Sequence, residues 1–222
     1  GRRDIAQYVS FPVSDRKSWV EVMPRLSADA ADRFAGNWVE NSTSDGADEP
    51  LTFGGGHLCG FFSFLRELFG DEEVYCLLYD DPVLVHEIID FQVERLSEIL
   101  RRIVAAVTIE RVFIWEDMCY KNGPLISPEL FREFFLEPYQ RYIQNARELG
   151  VESFDVDSDG RVDLLLPLWI EAGVGMLHPF EVQAGMDVNV VVARLGDKLC
   201  IRGGIDKREL AKGRNAIDRE LE

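Results

Sequence analysis

The stretch Asp155-Val-Asp-Ser-Asp-Gly160 closes a short apolar run with a burst of acids, and two later stretches repeat the arrangement, Pro179-Phe-Glu181 and Ile201-Arg-Gly-Gly-Ile-Asp206. Residues 151–156, 174–178 and 199–201 each read as a short buried strand. Amphipathic helical stretches separate them, as in right-handed βα units. Polar clusters at successive strand ends then share one rim, and in such folds chemistry sits at the carboxyl ends of the strands. Upstream, residues 111–115 (RVFIW) form a further buried strand that ends in Glu116-Asp117. No glycine-rich dinucleotide fingerprint marks a switch point, which favours a (β/α) barrel over an open doubly wound sheet. Fewer than eight strands are visible, the chain opens without a clear first strand, and Glu222 falls inside a helical pattern. The expectation is an α/β chain of the (β/α)8 TIM-barrel type. It reads as an incomplete barrel lacking early strands and the C-terminal end, one domain over residues 1–222 with an irregular segment at 27–50.

Local signals fill in the helices. Residues 19–26 suggest a short helix, and 37–50 (NWVENSTSDGADEP) a polar, turn-rich surface loop. Asp81 and Pro82 open a helix in which Leu84, Ile88, Phe91, Ile99 and Ile103 keep helical spacing. Ser127-Pro-Glu129 opens another, with an aromatic face of Phe131, Phe134, Phe135, Tyr139 and Tyr142. Core packing is the expected use of that face, Pro138 should kink the helix, and Gly150 should stop it. Helices at 162–172, 187–195 and from Lys207 complete the alternation. Gly54-Gly-Gly56 has neither a lysine nor GxGxxG spacing, so it reads as a flexible turn before a helix at 59–69 rather than a phosphate cradle. No period-two pattern announces a hairpin.

With 222 residues, 46% of them hydrophobic, the chain can bury a sizeable core. A net charge of -16 with scattered lysines and arginines argues against nucleic acid as a partner. No apolar run reaches membrane length and no signal peptide opens the chain. Cys59, Cys76, Cys119 and Cys200 are far apart with no CxxC pair, so neither a disulfide framework nor a zinc ribbon is indicated, and a reducing cytoplasm is the expected compartment. An incomplete barrel would expose strand edges and associate, for example as a homodimer.

Among the acids, Asp157 and Glu181 lie at or just past strand ends with no helix to cap, which points them at a cleft. Asp159 serves either a site or a helix cap, and Asp206, three residues before Glu209, fits a capping box as well as a site. Asp155-x-Asp157-x-Asp159-Gly160 also matches the front of a calcium loop, but Leu166 stands where the closing glutamate belongs. His178 can act as acid, base or ligand, or sit buried on a backbone partner. Arg202 would neutralise the acids or hold an anion. Cys119 is an outside candidate for thiol chemistry, Cys200 is expected in the core, His57 and His86 are weaker candidates, and His86 should face solvent from its helix.

Six segments in order carry a resemblance: FPVSDRKSW (11–19), LLYDDPVLVHEII (77–89), WEDMCYKNGPLISPELFREFF (115–135), DSDG (157–160), PFEVQAGMDV (179–188) and LGDKLCIRGGIDKREL (195–210). Together they resemble the uroporphyrinogen decarboxylase superfamily, which includes corrinoid-linked methyltransferases. The resemblance implies a (β/α)8 barrel with its cleft at the carboxyl ends of the strands. The decarboxylase branch implies an arginine-rich motif for substrate carboxylates, which nothing here matches, and a Phe-Asp-Ser-Trp-type segment where this chain has Ile114-Trp-Glu-Asp-Met118. Glu116 and Asp117 would repel an octa-anionic tetrapyrrole. The methyltransferase branch implies a His-x-Cys zinc pair, in whose place stands Asp157-x-Asp159. Carboxylates suit Mg, Mn or Ca better than zinc, so Asp157, Asp159 and Glu181 are the metal candidates, and no metal is the alternative. The leading expectation is a methyltransferase acting on a small methylated substrate with a corrinoid carried by a partner protein and no covalent cofactor. In it Glu116, Asp117, Asp157, Asp159, His178 and Glu181 are catalytic candidates, with Met118, Arg202 and Asp206 at the substrate. Porphyrinogen decarboxylation by Asp117 and Arg202, and a non-catalytic ligand-binding relative, are the alternatives.

Overall fold

The structure, a computed structural model, describes residues 8–30, 33–34, 36–43, 51–55 and 59–221. Residues 56–58, which include His57, together with Glu222 and the 44–50 half of the 37–50 stretch, lie outside them. A helix α1 (Arg16–Leu26) and a short α2 (Trp38–Thr43) precede the first strand, β1 (Thr52–Gly54). Asp15 accepts the Ser18 N–H in a capping box that starts α1. Helices α3 (Phe62–Phe69), α4 (Asp71–Asp80) and α5 (Pro82–Val104) lead to β2 (Arg111–Trp115). Asp81 caps α5 through the Leu84 N–H, with Pro82 in the first turn, as its sequence predicts.

A small antiparallel pair, β3 (Cys119–Tyr120) and β4 (Gly123–Pro124), follows β2. This hairpin was not expected, because two-residue strands are too short to show a period. Ser127 then caps α6 (Pro128–Phe131), which continues through a π turn at Arg132–Leu136 into α7 (Glu137–Glu148). The kink expected at Pro138 takes this form for a plain reason: proline offers no N–H to the carbonyl four residues back, so the helix widens just before it. Beyond Gly150, whose φ is 93°, the alternation runs β5 (Ser153–Asp157), α8 (Leu166–Ala172), β6 (Met176–His178), α9 (Val188–Leu195), β7 (Cys200–Ile201), α10 (Lys207–Leu210) and α11 (Arg214–Leu221).

The five longer-range strands pair in the order β1-β2-β5-β6-β7, every pair parallel. Order in space follows order in sequence without reversal. That is the wall of a (β/α) barrel, here an open five-stranded arc, and not a doubly wound sheet, whose order reverses at a switch point. Three-residue β1 hid in the sequence behind its glycines. Gly54, with φ of 108°, is required there, since a Cβ would stand 2.2 Å from the Phe113 carbonyl oxygen.

Parity along the strands separates two faces. Val112 and Ile114 pair in register with Phe154 and Val156, and all four are buried under the helices. Against them pack the aromatics Phe131, Phe134, Phe135, Tyr139 and Tyr142, all fully buried, each contributing about 1.5–3 kcal/mol relative to exposure. Among the described residues no helix is long and apolar enough to cross a membrane.

Candidate functional site

The opposite parity, Phe113, Trp115, Asp155, Asp157, Met176 and His178, forms the other face, and the site grows from its upper end. Asp117, with φ of 53°, turns the chain out of β2, and its Oδ1 accepts the Asp159 N–H at 3.2 Å. Its carbonyl accepts Arg66 Nη1 at 3.2 Å. Glu181 accepts three donors: the Gly160 N–H at 3.0 Å, Gln183 Nε2 at 2.7 Å and Lys207 Nζ at 2.6 Å. Burial is the largest single influence on the Glu181 carboxyl and works to raise it, but the Lys207, Gly160 and Gln183 bonds and the Lys207 charge together hold the group below its ordinary pKa. Gly160 cannot be replaced without strain, because a Cβ would meet the Cys119 and Tyr120 backbone at 2.8 Å. That contact lays the β3–β4 hairpin against the loop after β5, where the Arg161 N–H also reaches the Tyr120 carbonyl at 3.0 Å.

These elements enclose a cleft of about 470 Å³, lined among others by Arg66, Asp117, Cys119, Lys121, Asp159 and Glu181. The structure therefore brings Asp117, Asp159 and Glu181 together, as the sequence predicts. Asp159 is raised by burial and by the neighbouring Glu181 and Asp117 carboxylates. Deeper on the same face, Asp157 is raised by burial and by Asp159, Asp117 and Asp155, with His178 pulling the other way. His178 lies between Asp157 and Asp155, its Nδ1 3.6 Å from Asp157 Oδ1 and its Nε2 3.5 Å from Asp155 Oδ1.

Other candidates fall elsewhere. Glu116 does not reach the cleft: it shares parity with Val112 and Ile114 and is fully buried on the helix side. Its carboxylate accepts the N–H groups of Phe61 at 2.7 Å, Phe62 at 3.1 Å and Ser63 at 2.7 Å, together with the Tyr139 hydroxyl. It thus anchors the start of α3, satisfying donors that a helix N-terminus leaves open. Burial pushes its pKa up to about 7 against the pull of those bonds. Met118 is fully buried in the core, its N–H on Ser158 Oγ at 3.1 Å. Asp206 caps α10 through the Arg208 N–H and pairs with the Arg208 guanidinium; Glu209 does not close a capping box with it and bonds Lys212 instead. Arg202 is exposed and acts by charge on Asp155, as a counter-ion to the acids.

Among the described residues, no three His, Cys, Asp or Glu side chains are arranged to hold a metal ion. Asp157, Asp159 and Glu181 do not converge, since Glu181 is already taken up by Lys207, Gln183 and Gly160. Cys119 is buried and its thiol is pushed up to about 12, which leaves no thiolate for nucleophilic chemistry. Cys200 is exposed rather than in the core. His86 is exposed, as expected, with its ring stacked on Phe134.

The residue that sequence reasoning missed is Asp155, read there as part of the acidic strand end and of a calcium-like loop but not as a site residue. Its signal was parity: it lies two residues from Asp157 and therefore on the same face. It is fully buried, and neither carboxylate oxygen has a hydrogen-bond partner.

The fold is similar to that of a methyltransferase from Methanosarcina mazei, with a TM-score of 0.60 and 17% identity over 75% of this chain. The match takes in 46% of that chain, so the present chain spans less than half of its length. No curated protein matches the sequence. The family model described as uroporphyrinogen decarboxylase (URO-D) matches residues 60–222, which includes every strand from β2 onward and the whole acidic cleft. The chain belongs to the uroporphyrinogen decarboxylase family.

Proposed function

We propose that the chain carries the active cleft of a methyltransferase that moves a methyl group between a small methylated compound and a corrinoid held by a partner protein. The observation that supports this reading is the sign of the cleft. Three carboxylates line it, Asp117, Asp159 and Glu181, against two cations, Arg66, which pairs with Asp71 as well as the Asp117 carbonyl, and Lys121, which lies over the Tyr120 ring, while Lys207 is committed to Glu181. A substrate with many carboxylates would meet this rim with like charge, whereas a neutral or cationic methylated compound would not. The corrinoid belongs to its own carrier and is a substrate of this chain rather than a resident group.

When a nucleophile takes the methyl carbon, the bond from carbon to the leaving heteroatom breaks and the electron pair stays on that heteroatom, which then needs a proton. Burial, with the neighbouring carboxylates, raises Asp157 and Asp159 from the ordinary carboxyl value, the direction that suits a proton donor in that role. No step runs through a metal ion. Anaerobic visible-absorbance titration with methylcobalamin, with uroporphyrinogen as competitor, tests the reading. A saturable shift with methylcobalamin is expected, and saturable binding of uroporphyrinogen in its place overturns it.

A further inference from the structure

Three titratable side chains stand in line on the face of the sheet away from the helices. Asp155 and Asp157 leave β5 on the same side, and His178 is the register partner of Asp157 on β6. The imidazole is held in this plane by the Phe113 ring, 5.4 Å away and tilted by 31°. Its Nε2 faces the interior and its Nδ1 faces Asp157, the more accessible of the two carboxylates, 25% exposed against 0% for Asp155.

Asp155 has no structural task that explains its burial. A buried carboxylate is retained where donors satisfy it, and both Asp155 oxygens lack a hydrogen bond, as does His178 Nε2. Arg111 does not supply the donors: its Nη1 is 4.0 Å from Asp155 Oδ2, and its Nε and Nη2 are used on Thr52 Oγ1 at 3.1 and 3.0 Å. Arg202 acts on Asp155 through charge alone, and Asp117 and Asp159 act on Asp157 in the same way. Among the described residues, the group poised to share a proton with Asp155 is His178.

We propose that Asp155 is the positioning residue of a carboxylate–imidazole–carboxylate relay: it holds a proton on His178 Nε2, so that Nδ1 serves Asp157 and Asp157 serves the substrate. This rests on the proposed cleft reading only for the identity of the final acceptor. As the substrate bond breaks, the Asp157 O–H gives its proton to the leaving heteroatom. The bare Nδ1 then takes a proton from solvent and passes it to the Asp157 carboxylate, while the Nε2–H stays toward Asp155 throughout, so the ring begins and ends neutral. Only protons move, and no oxidant or metal is needed. Positioning of an imidazole by a buried carboxylate sets which ring nitrogen is free to exchange.

The test is a two-bond proton–nitrogen correlation spectrum of the 15N-labelled chain near neutral pH, with the His178 signals assigned by loss in His178→Gln. In the wild type Nε2 should carry the resident proton. Asp155→Asn should move it to Nδ1, Asp155→Glu should restore it, and methyl-transfer turnover of Asp155→Asn should fall by about 100-fold with KM little changed. Ring-nitrogen signals identical in wild type and Asp155→Asn would overturn the relay. Should Asp155→Asn fail to fold, the wild-type spectrum decides, because a bare Nε2 with the proton fixed on Nδ1 is incompatible with the proposal. The spectrum does not depend on turnover, so a tautomer that responds to Asp155 in a chain that ignores methylcobalamin retains the relay and rejects methyl transfer.

Discussion

Glu116, just past the end of β2, and Asp155, on the neighbouring β5, are both fully buried acids, and they have opposite surroundings. Glu116 accepts three backbone N–H groups and the Tyr139 hydroxyl, while Asp155 accepts nothing. The first is part of the scaffold, because its donors would otherwise be stranded in the core. The second is held in place by the fold around it, which is the expected mark of a working group rather than a stabilising one. Burial alone therefore does not tell a structural acid from a functional one. The list of donors does.

Breaking the scaffold member should cost most. Glu116→Ala leaves three N–H groups and a phenol buried without acceptors, and should lower unfolding free energy by about 3–5 kcal/mol, read as a reduced urea midpoint. Next in size is its pH dependence. The folded pKa of about 7 exceeds the ordinary 4.5, so the folded state binds the Glu116 proton more tightly than the unfolded chain does. Its contribution is complete below about pH 4.5 and declines as pH rises to about 7, by on the order of 3 kcal/mol. Urea midpoints across that window should show the decline, and Glu116→Gln should flatten it. Smallest is the effect of Asp155→Asn, which removes an unsatisfied buried charge. It should gain about 1 kcal/mol, a rise in Tm of roughly 2–4 °C, while disabling the site. A large loss of stability in Asp155→Asn would erase the contrast between the two acids.

Much of this was legible in the chain itself. Asp81-Pro82, Ser127-Pro128 and Gly150 mark helix boundaries because capping and φ restrictions are local chemistry. The strands ending in Asp157 and His178 are legible because buried parallel strands are continuous apolar runs. β1 and the β3–β4 hairpin were not, since two or three residues bounded by glycine carry no period, and the six-residue α2 falls in a stretch whose polarity reads as loop. In the site, Asp117, Asp159 and Glu181 could be placed from strand ends alone. Glu116 was misplaced because adjacency to Asp117 was read as sharing a direction, although alternation from Val112 through Ile114 already sends it to the other side. Asp155 went unrecognised because its worth depends on what fails to bond it, which only three-dimensional neighbours reveal.

The π turn at Arg132–Leu136 acts as a phase corrector. In an unbroken α-helix, residues four apart drift by about 40° at each step, so Phe131, Phe135 and Tyr139 would spiral away from a common line. One wide turn takes up an extra residue and resets the angle, which aims Tyr139 at Glu116. The register of one helix thereby sets whether the anchor of another has its fourth donor. Deleting a single residue between positions 132 and 136 would swing α7 by about 100° relative to α6 and turn the phenol away, an error of angle with no change in composition.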